Sequence, residues 1–332
     1  MDALVTPISF LLIIIVGYLF KRAGRFKDRD YRIVQRIVFG ITIPCVIINS
    51  FVGSEHDASL LWITLFSFAC SFIPLIIMYA VTWRKPVEER AFEMLNVTGF
   101  NTGNFCLPVV QSYYGPGAVI VAVMFDIGNS ATISSFMNVF TTSTLHISPD
   151  RPLSEQAHEK GMTTLPYTPP TDAHARRLEH RAKLRRALKS LFSSVPFDIY
   201  IVMIVLMLMH IELPQWLADI CAPGANANGF CSMLMVGMLM ELPTCWDEVK
   251  TVSRVIGWRL VLEAICVAAA WFLLPFDVQT RKIVMMMCLS PCTVFGTLFT
   301  DRVLGNARLA GFTLSVTAII SLTCISLVYA LV

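Results

Sequence analysis

The residues with chemistry to offer are crowded into Asn96-Val-Thr-Gly-Phe-Asn-Thr-Gly-Asn-Phe-Cys-Leu-Pro108, which lies inside a long apolar segment yet carries two glycines, a proline and three asparagines. Hydrocarbon offers no hydrogen-bond partners, so a segment that crosses it is expected to be an unbroken helix. Gly99 and Gly103 weaken a helix, and Pro108 has no N–H to give to the turn before it. Two readings follow. One is a kinked helix whose polar residues grip a neighbour. The other is a helix broken at mid-membrane, whose opened backbone and half-helix ends form a binding site. A second stretch of the same kind, Cys288-Leu-Ser-Pro-Cys-Thr-Val-Phe-Gly296, favours the broken helix. Half-helix N-termini carry a partial positive charge and free N–H groups, which suit an anionic or strongly polar ligand. The residues placed to hold it are Asn101, Thr102, Gly103, Asn104 and Pro108 from the first stretch, with Ser290, Pro291 and Thr293 from the second. No Lys or Arg is expected well inside any span, so backbone dipoles and side-chain amides carry the recognition.

Ionisable residues deep in a membrane are costly and face a cavity or a partner. Asp126 lies near the middle of an apolar window, in Met124-Phe-Asp-Ile-Gly-Asn-Ser130, with Asn129 one turn away. It reads as a carboxylate that takes up a proton or cation (H+ or Na+) or as a satisfied structural acid. Asn129 and Glu263 are further candidates for proton or cation coupling; Glu263 is also well inside a window, where an i,i+4 pair with Arg259 is the simpler account. Glu93, Asp198, Glu241 and Asp301 fall near span ends, where interfacial solvation accounts for them, and His210 lies near the outer end of a span. The ten cysteines form no CxxC pair and lie mostly in apolar runs, so they read as helix-packing residues. No phosphate-binding glycine loop, HExxH or GxSxG stands in a suitable context, and nothing resembles a nucleic-acid module. No enzyme activity and no cofactor are expected.

The elements that must position these groups are read from hydropathy. The 332 residues are 55% hydrophobic and 15% charged, with a mean hydropathy of +0.65, which points to a polytopic membrane protein. Apolar windows occur at 4–20, 33–53, 59–82, 91–113 and 117–140, and again at 196–213, 226–243, 255–275, 282–303 and 309–331. The window at 226–243 is the weakest, because Pro223, Gly224 and Gly229 loosen its start. Lys21 and Arg22 follow the first apolar run instead of preceding it, the reverse of a secretory signal, so the first helix is expected to stay in place. With both termini outside and the spans alternating, only Arg281 and Lys282 of the 26 Lys and Arg fall outside. This bias supports ten spans in a cell membrane.

The chain then divides into a first five-helix repeat at 1–140, a cytoplasmic linker at 141–195 and a second repeat at 196–332. Five spans on each side of an inner linker force the two halves into opposite orientations, a hallmark of secondary transporters. A shift of 190 residues sets Gly115 on Gly305 and Asn101 on Pro291, so both breaks fall at matching places. The linker ends in a basic helix with Leu178, Leu184, Leu188 and Leu191 near one face, expected to rest on the inner leaflet as a connector that fixes topology.

Asn101-Thr-Gly-Asn-Phe-Cys-Leu-Pro108, followed by Tyr114-Gly115 and the Asp126 helix, resembles the auxin efflux carrier family, which includes bacterial malate-type permeases. Similar too are Phe39-Gly-Ile-Thr-Ile-Pro44, Val236-Gly-Met-Leu-Met240, Ser290-Pro-Cys-Thr293 and Gly305-Asn-Ala-Arg-Leu-Ala310. The resemblance implies an all-α fold of ten transmembrane helices in two inverted five-helix repeats, like bile-acid/sodium symporters, split into a scaffold and a crossover domain. It also implies transport of organic anions, with substrate near the crossover. By position, Asn101, Gly103 and Pro108 belong to the first crossover and Pro291 to the second. Cys106 stands where a glycine is common, and the second crossover lacks the asparagine of plant members. The leading reading is therefore a secondary transporter or uniporter of small carboxylates, whose partners are the organic anion and the lipid bilayer; a homodimer is compatible with it. The alternatives are a membrane sensor that binds but does not carry, or a channel.

Overall fold

A chain surrounded by hydrocarbon must satisfy its N–H and C=O groups within each crossing segment. The structure, a computed structural model, describes residues 2–331 apart from 28, 53–57, 149, 157, 158, 160 and 168–171. Among the described residues every regular element is helical. Helix α1 spans Asp2–Arg22, α2 Tyr31–Phe51 and α3 Leu61–Val81. A short α4, Val87–Val97, is followed after a break by α5, Leu107–Tyr114, and α6 then runs Pro116–Thr144. Beyond the linker come α7, Ala173–Leu191, α8, Val195–Leu208, α9, Gln215–Leu239, and α10, Trp246–Leu273. A second interrupted pair, α11 at Val278–Cys288 and α12 at Val294–Leu304, leads into α13, Ala307–Leu331.

By length and composition, α2, Ala58–Val81, α6, α10 and α13 can each cross a membrane, and the segment Arg181–Leu191 bent by 83° onto α8 adds a sixth candidate. Their outward faces carry Trp62, Leu65, Ile73, Val261, Ile265 and Phe272, all exposed, as contact with lipid tails requires. Of the five, α6 is the central one. Its apolar window is 78% buried, against 33–39% for the others.

The helices pack in two groups. In one, α9 lies against α1 and α2, and α8 lies against α2. In the other, α3 packs on α4 and α6, while α10 and α13 pack on α11. The groups meet where α9 touches the turn before α5, where α2 and α8 touch α6, and where α1 touches α5. Within the second group the approach of α3 to α6 depends on Gly128: a Cβ there would lie 2.1 Å from the Thr64 carbonyl oxygen. Small residues let helix backbones approach in this way where no hydrophobic effect drives them together.

Two sequence expectations change here. The helix of the 226–243 window, α9, does not begin loosely near 226; it starts at Gln215 and runs unbroken through Pro223 to Leu239. A proline within a helix costs one backbone hydrogen bond, and α2 covers the small residues beside it, with Cys45 Sγ 2.7 Å from where a Gly224 Cβ would be. The linker helix is also more than a solvated connector. Ser135 Oγ donates to the Ala187 carbonyl at 2.8 Å, Ser190 Oγ donates to the Ser134 carbonyl at 2.6 Å, and Ala187 and Leu191 are buried. Leu178, Leu184 and Leu188 stay exposed on its other side.

Candidate functional site at the helix breaks

The first break begins where α4 gives way to an extended Thr98 and then to Gly99, whose φ of 74° lies in the left-handed region. A Cβ at Gly99 would also sit 2.2 Å from Ile133 Cγ2, so the position needs glycine twice over. The chain re-enters helix through a π-helical turn at Thr102–Cys106, and Pro108 sits in the first turn of α5, where its missing N–H costs nothing. The second break is shorter. Leu289 and Ser290 tighten the end of α11 through N–H bonds to the Met286 and Met287 carbonyls, and Thr293 caps α12 by accepting from Phe295 N–H at 3.3 Å.

The two breaks touch. Asn101 N–H donates to the Pro291 carbonyl at 2.9 Å, so the residues matched by the 190-residue shift are joined through their backbones. The helix ends agree with that register: α5 stops before Gly115 at φ 80° and α12 before Gly305 at φ 69°.

Asn129 stitches α6 to the first break. Its Oδ1 accepts from Phe100 N–H at 3.0 Å and from Ser71 Oγ at 3.0 Å, and its Nδ2 donates to the Phe100 carbonyl at 2.8 Å and to Thr102 Oγ1 at 2.9 Å. Asp126, one turn earlier, accepts hydrogen bonds from the hydroxyls of Thr102 and Tyr200. Its Oδ2 lies 3.0 Å from where a Gly103 Cβ would be. Thr102, Gly103, Asp126 and Asn129 thus form one connected cluster, and Tyr200 brings α8 into it. On α13, Thr317 Oγ1 accepts from Cys292 N–H at 3.3 Å and serves the second break as Asn129 serves the first.

The expectation of no cation deep inside a span is overturned by Arg259. Its guanidinium is buried and donates to the carbonyls of Val97 at 3.0 Å, Gly99 at 2.9 Å and Ser290 at 2.8 Å. The same group pairs with Glu263 Oε1 at 2.7 Å. An opened helix exposes carbonyls that nothing in lipid can satisfy, and a planar guanidinium with several donors can satisfy them on two strands at once. The sequence signal was present: Arg259 and Glu263 stand four apart at the start of an apolar run, where a lone helix-surface pair would be poorly solvated. Glu263 therefore belongs with Arg259 at the breaks, apart from the Asp126 cluster in its hydrogen bonds. Glu93 departs from expectation too, being fully buried and paired with Lys85 at 2.6 Å. His210 lies in a left-handed turn after α8, exposed and away from the breaks.

Three side-chain atoms at the first break remain without a protein partner: Thr98 Oγ1, Asn101 Nδ2, a donor, and Asn104 Oδ1, an acceptor, although Asn104 Nδ2 donates to Asn101 Oδ1 at 3.0 Å. Buried amide groups left unpaired are costly, and their presence is a signature of a site that meets a polar ligand. Ser290 is differently employed, its hydroxyl donating to the Met287 carbonyl at 2.7 Å and lying 2.8 Å from Cys106 Sγ.

Comparison with known proteins agrees with this picture. An uncharacterized transporter of Methanothermobacter thermautotrophicus is 22% identical over 134 residues, which are 39% of this chain and 44% of that protein, so the match spans less than half of the relative's length. The family described as membrane transport protein, that of the auxin efflux carriers, matches residues 3–329. With broken helices meeting in its interior and a family match over nearly its whole length, the chain belongs to the membrane transport protein family.

Proposed function

We propose that this protein is a secondary carrier, or a uniporter, of small organic anions that works by alternating access, with substrate held where the two broken helices meet. The observation that carries the reading is the backbone contact of Asn101 with Pro291 beside the unpaired amide atoms of Asn101 and Asn104. The interrupted pairs α4–α5 and α11–α12 then each count as one crossing, which gives ten passages in two inverted five-helix repeats. The packing of α12 against α4, and of α11 against the turn before α5, supports that antiparallel crossing. Both termini lie outside and the linker lies in the cytoplasm, a reading that the distribution of Lys and Arg supports.

Coupling runs through Asp126. An ionised carboxylate only accepts hydrogen bonds, and a protonated one also donates. Its bond from Tyr200 ties α8, in the group with α2, to α6 in the other group. Taking up a proton, or a cation at the same carboxylate, changes that tie and so biases the movement of one group against the other. Purified protein in proteoliposomes tests both parts. Uptake of small carboxylates is expected, accelerated by a pH gradient in wild type and indifferent to the gradient in Asp126→Asn. Transport by the variant that still follows the gradient would remove Asp126 from coupling, and absence of carboxylate flux in the wild type would favour a sensor that binds without carrying.

A further inference from the structure

One cavity is lined by none of the residues assigned to substrate, although Phe295, at the end of the second interrupted stretch, reaches it. It has a volume of about 760 Å³ and is enclosed by the first half of α2, the second half of α6, the end of α7, the start of α8 and α12. Six cations line it: Arg32 and Arg36 from α2, Lys183, Arg186 and Lys189 from α7, and Arg302 from α12. The one carboxylate among the lining residues, Asp301, lies 3.8 Å from Arg32. Half of the positive charge thus comes from the linker helix, which the Ser135 and Ser190 hydrogen bonds hold against α6.

Six cations around one concave space make it strongly positive, and because Arg32, Arg36, Arg186, Lys189 and Arg302 are exposed, water and salt screen part of their repulsion. The arrangement is relieved by a ligand with more than one negative charge. Guanidinium forks and ammonium groups converging from three sides match the oxygens of a phosphate better than those of a single carboxylate. The segment Arg181–Leu191 meets α8 at 83°, so with α8 crossing the membrane the linker helix lies along its surface, with Leu178, Leu184 and Leu188 exposed. Basic pockets between membrane helices at the cytoplasmic surface are suited to phosphate-bearing headgroups, and the same donors accept a free phosphate-bearing anion.

We infer that this cavity is a second anion site, sharing none of the residues assigned to substrate, that takes a multiply charged phosphate-bearing ligand with the linker helix supplying one wall. It is independent of which substrate the breaks carry.

The test uses the full-length protein in detergent, with thermal unfolding followed by intrinsic tryptophan fluorescence. Sodium pyrophosphate is the soluble probe, against sodium chloride at equal ionic strength. Micelles doped with phosphatidylglycerol, against micelles doped with phosphatidylcholine, are the lipid probe. The melting temperature of the wild type is expected to rise with at least one phosphate-bearing probe beyond its control. A response to pyrophosphate alone assigns the site to a free anion, and a response to phosphatidylglycerol alone assigns it to a headgroup. The triple variant Lys183→Gln, Arg186→Gln, Lys189→Gln is expected to need at least about tenfold more probe for half its effect. The pair Arg36→Gln, Arg302→Gln, on the facing walls, is expected to do the same and stands in if the triple variant does not fold. Asn101→Ala, at the breaks, is expected to respond as the wild type does. No rise beyond either control, an unchanged response in the cavity variants, or a response lost in Asn101→Ala and kept in the cavity variants would each overturn the proposal.

Discussion

At the first break the chain leaves helix through a left-handed glycine and returns through a π-helical turn, and the side chains of Asn129 on α6 and Arg259 on α10 take up its backbone groups. At the second break the end of α11 tightens on itself, Thr293 caps the next helix, and none of the side-chain polar atoms of residues 289–293 lacks a partner. Unpaired amide atoms thus stand at the first break and at none of residues 289–293. The two places match in register, yet one is open to a polar ligand and the other is closed on itself. On the proposed function, recognition would weigh on the first break, with the second, joined to it by Asn101 N–H and by Arg259, as a backbone abutment.

Removing the shared piece should have the largest effect. Arg259→Gln leaves carbonyls of both breaks and the Glu263 carboxylate without their donor, so a loss of about 3–5 kcal/mol is expected, read as a collapse of the melting temperature, with transport abolished. Arg259→Lys should rescue little, because one ammonium cannot span the same carbonyls. The contrast itself is tested next. Asn101→Ala should lower transport by tenfold or more with little change in unfolding temperature, whereas Thr293→Ala should cost about 1 kcal/mol as a lost helix cap and leave the rate nearly intact. Equal losses of transport in the two variants would erase the distinction.

Smaller effects sharpen it. Gly99→Ala forces a Cβ toward Ile133 at a positive φ and should cost about 1–3 kcal/mol. Part of that cost should vanish when Ile133→Ala is added, a coupling measurable in a double-mutant cycle. The smallest effect belongs to the surface cap of α11, remote from both breaks. The Thr280 hydroxyl, with the backbone N–H groups of Thr280 and Gln279, holds the Asp277 carboxyl below its ordinary value. A depressed carboxylate contributes stability above its unfolded value and loses it as pH falls through the folded value. The wild type should therefore melt lower in acid by about 2 °C more than Asp277→Asn does, with transport at neutral pH the same in both.

Much of the site was legible because it breaks local rules. Glycine, proline and asparagine inside an apolar run mark an interrupted helix whatever surrounds it, and Asp126 stands out because hydrocarbon tolerates so few acids. Tyr200 and Thr317 left no such mark, since a tyrosine or threonine in an apolar helix is unremarkable until its hydroxyl is seen to meet Asp126 or Cys292. Arg259 was misplaced for a related reason: counting charges by loop assumes that a cation near a span end reaches water, and this one turns toward the breaks.

What the sequence determined by itself is the solvent and the interruptions, because hydropathy and backbone freedom are properties of each segment alone. The meeting of the breaks, the single guanidinium that serves both and the basic cavity walled by the linker were decided by tertiary structure. They join residues far apart in the chain, as Asn101 and Pro291 or Arg32 and Asp301 are, and no local pattern encodes which distant donor an opened carbonyl will find.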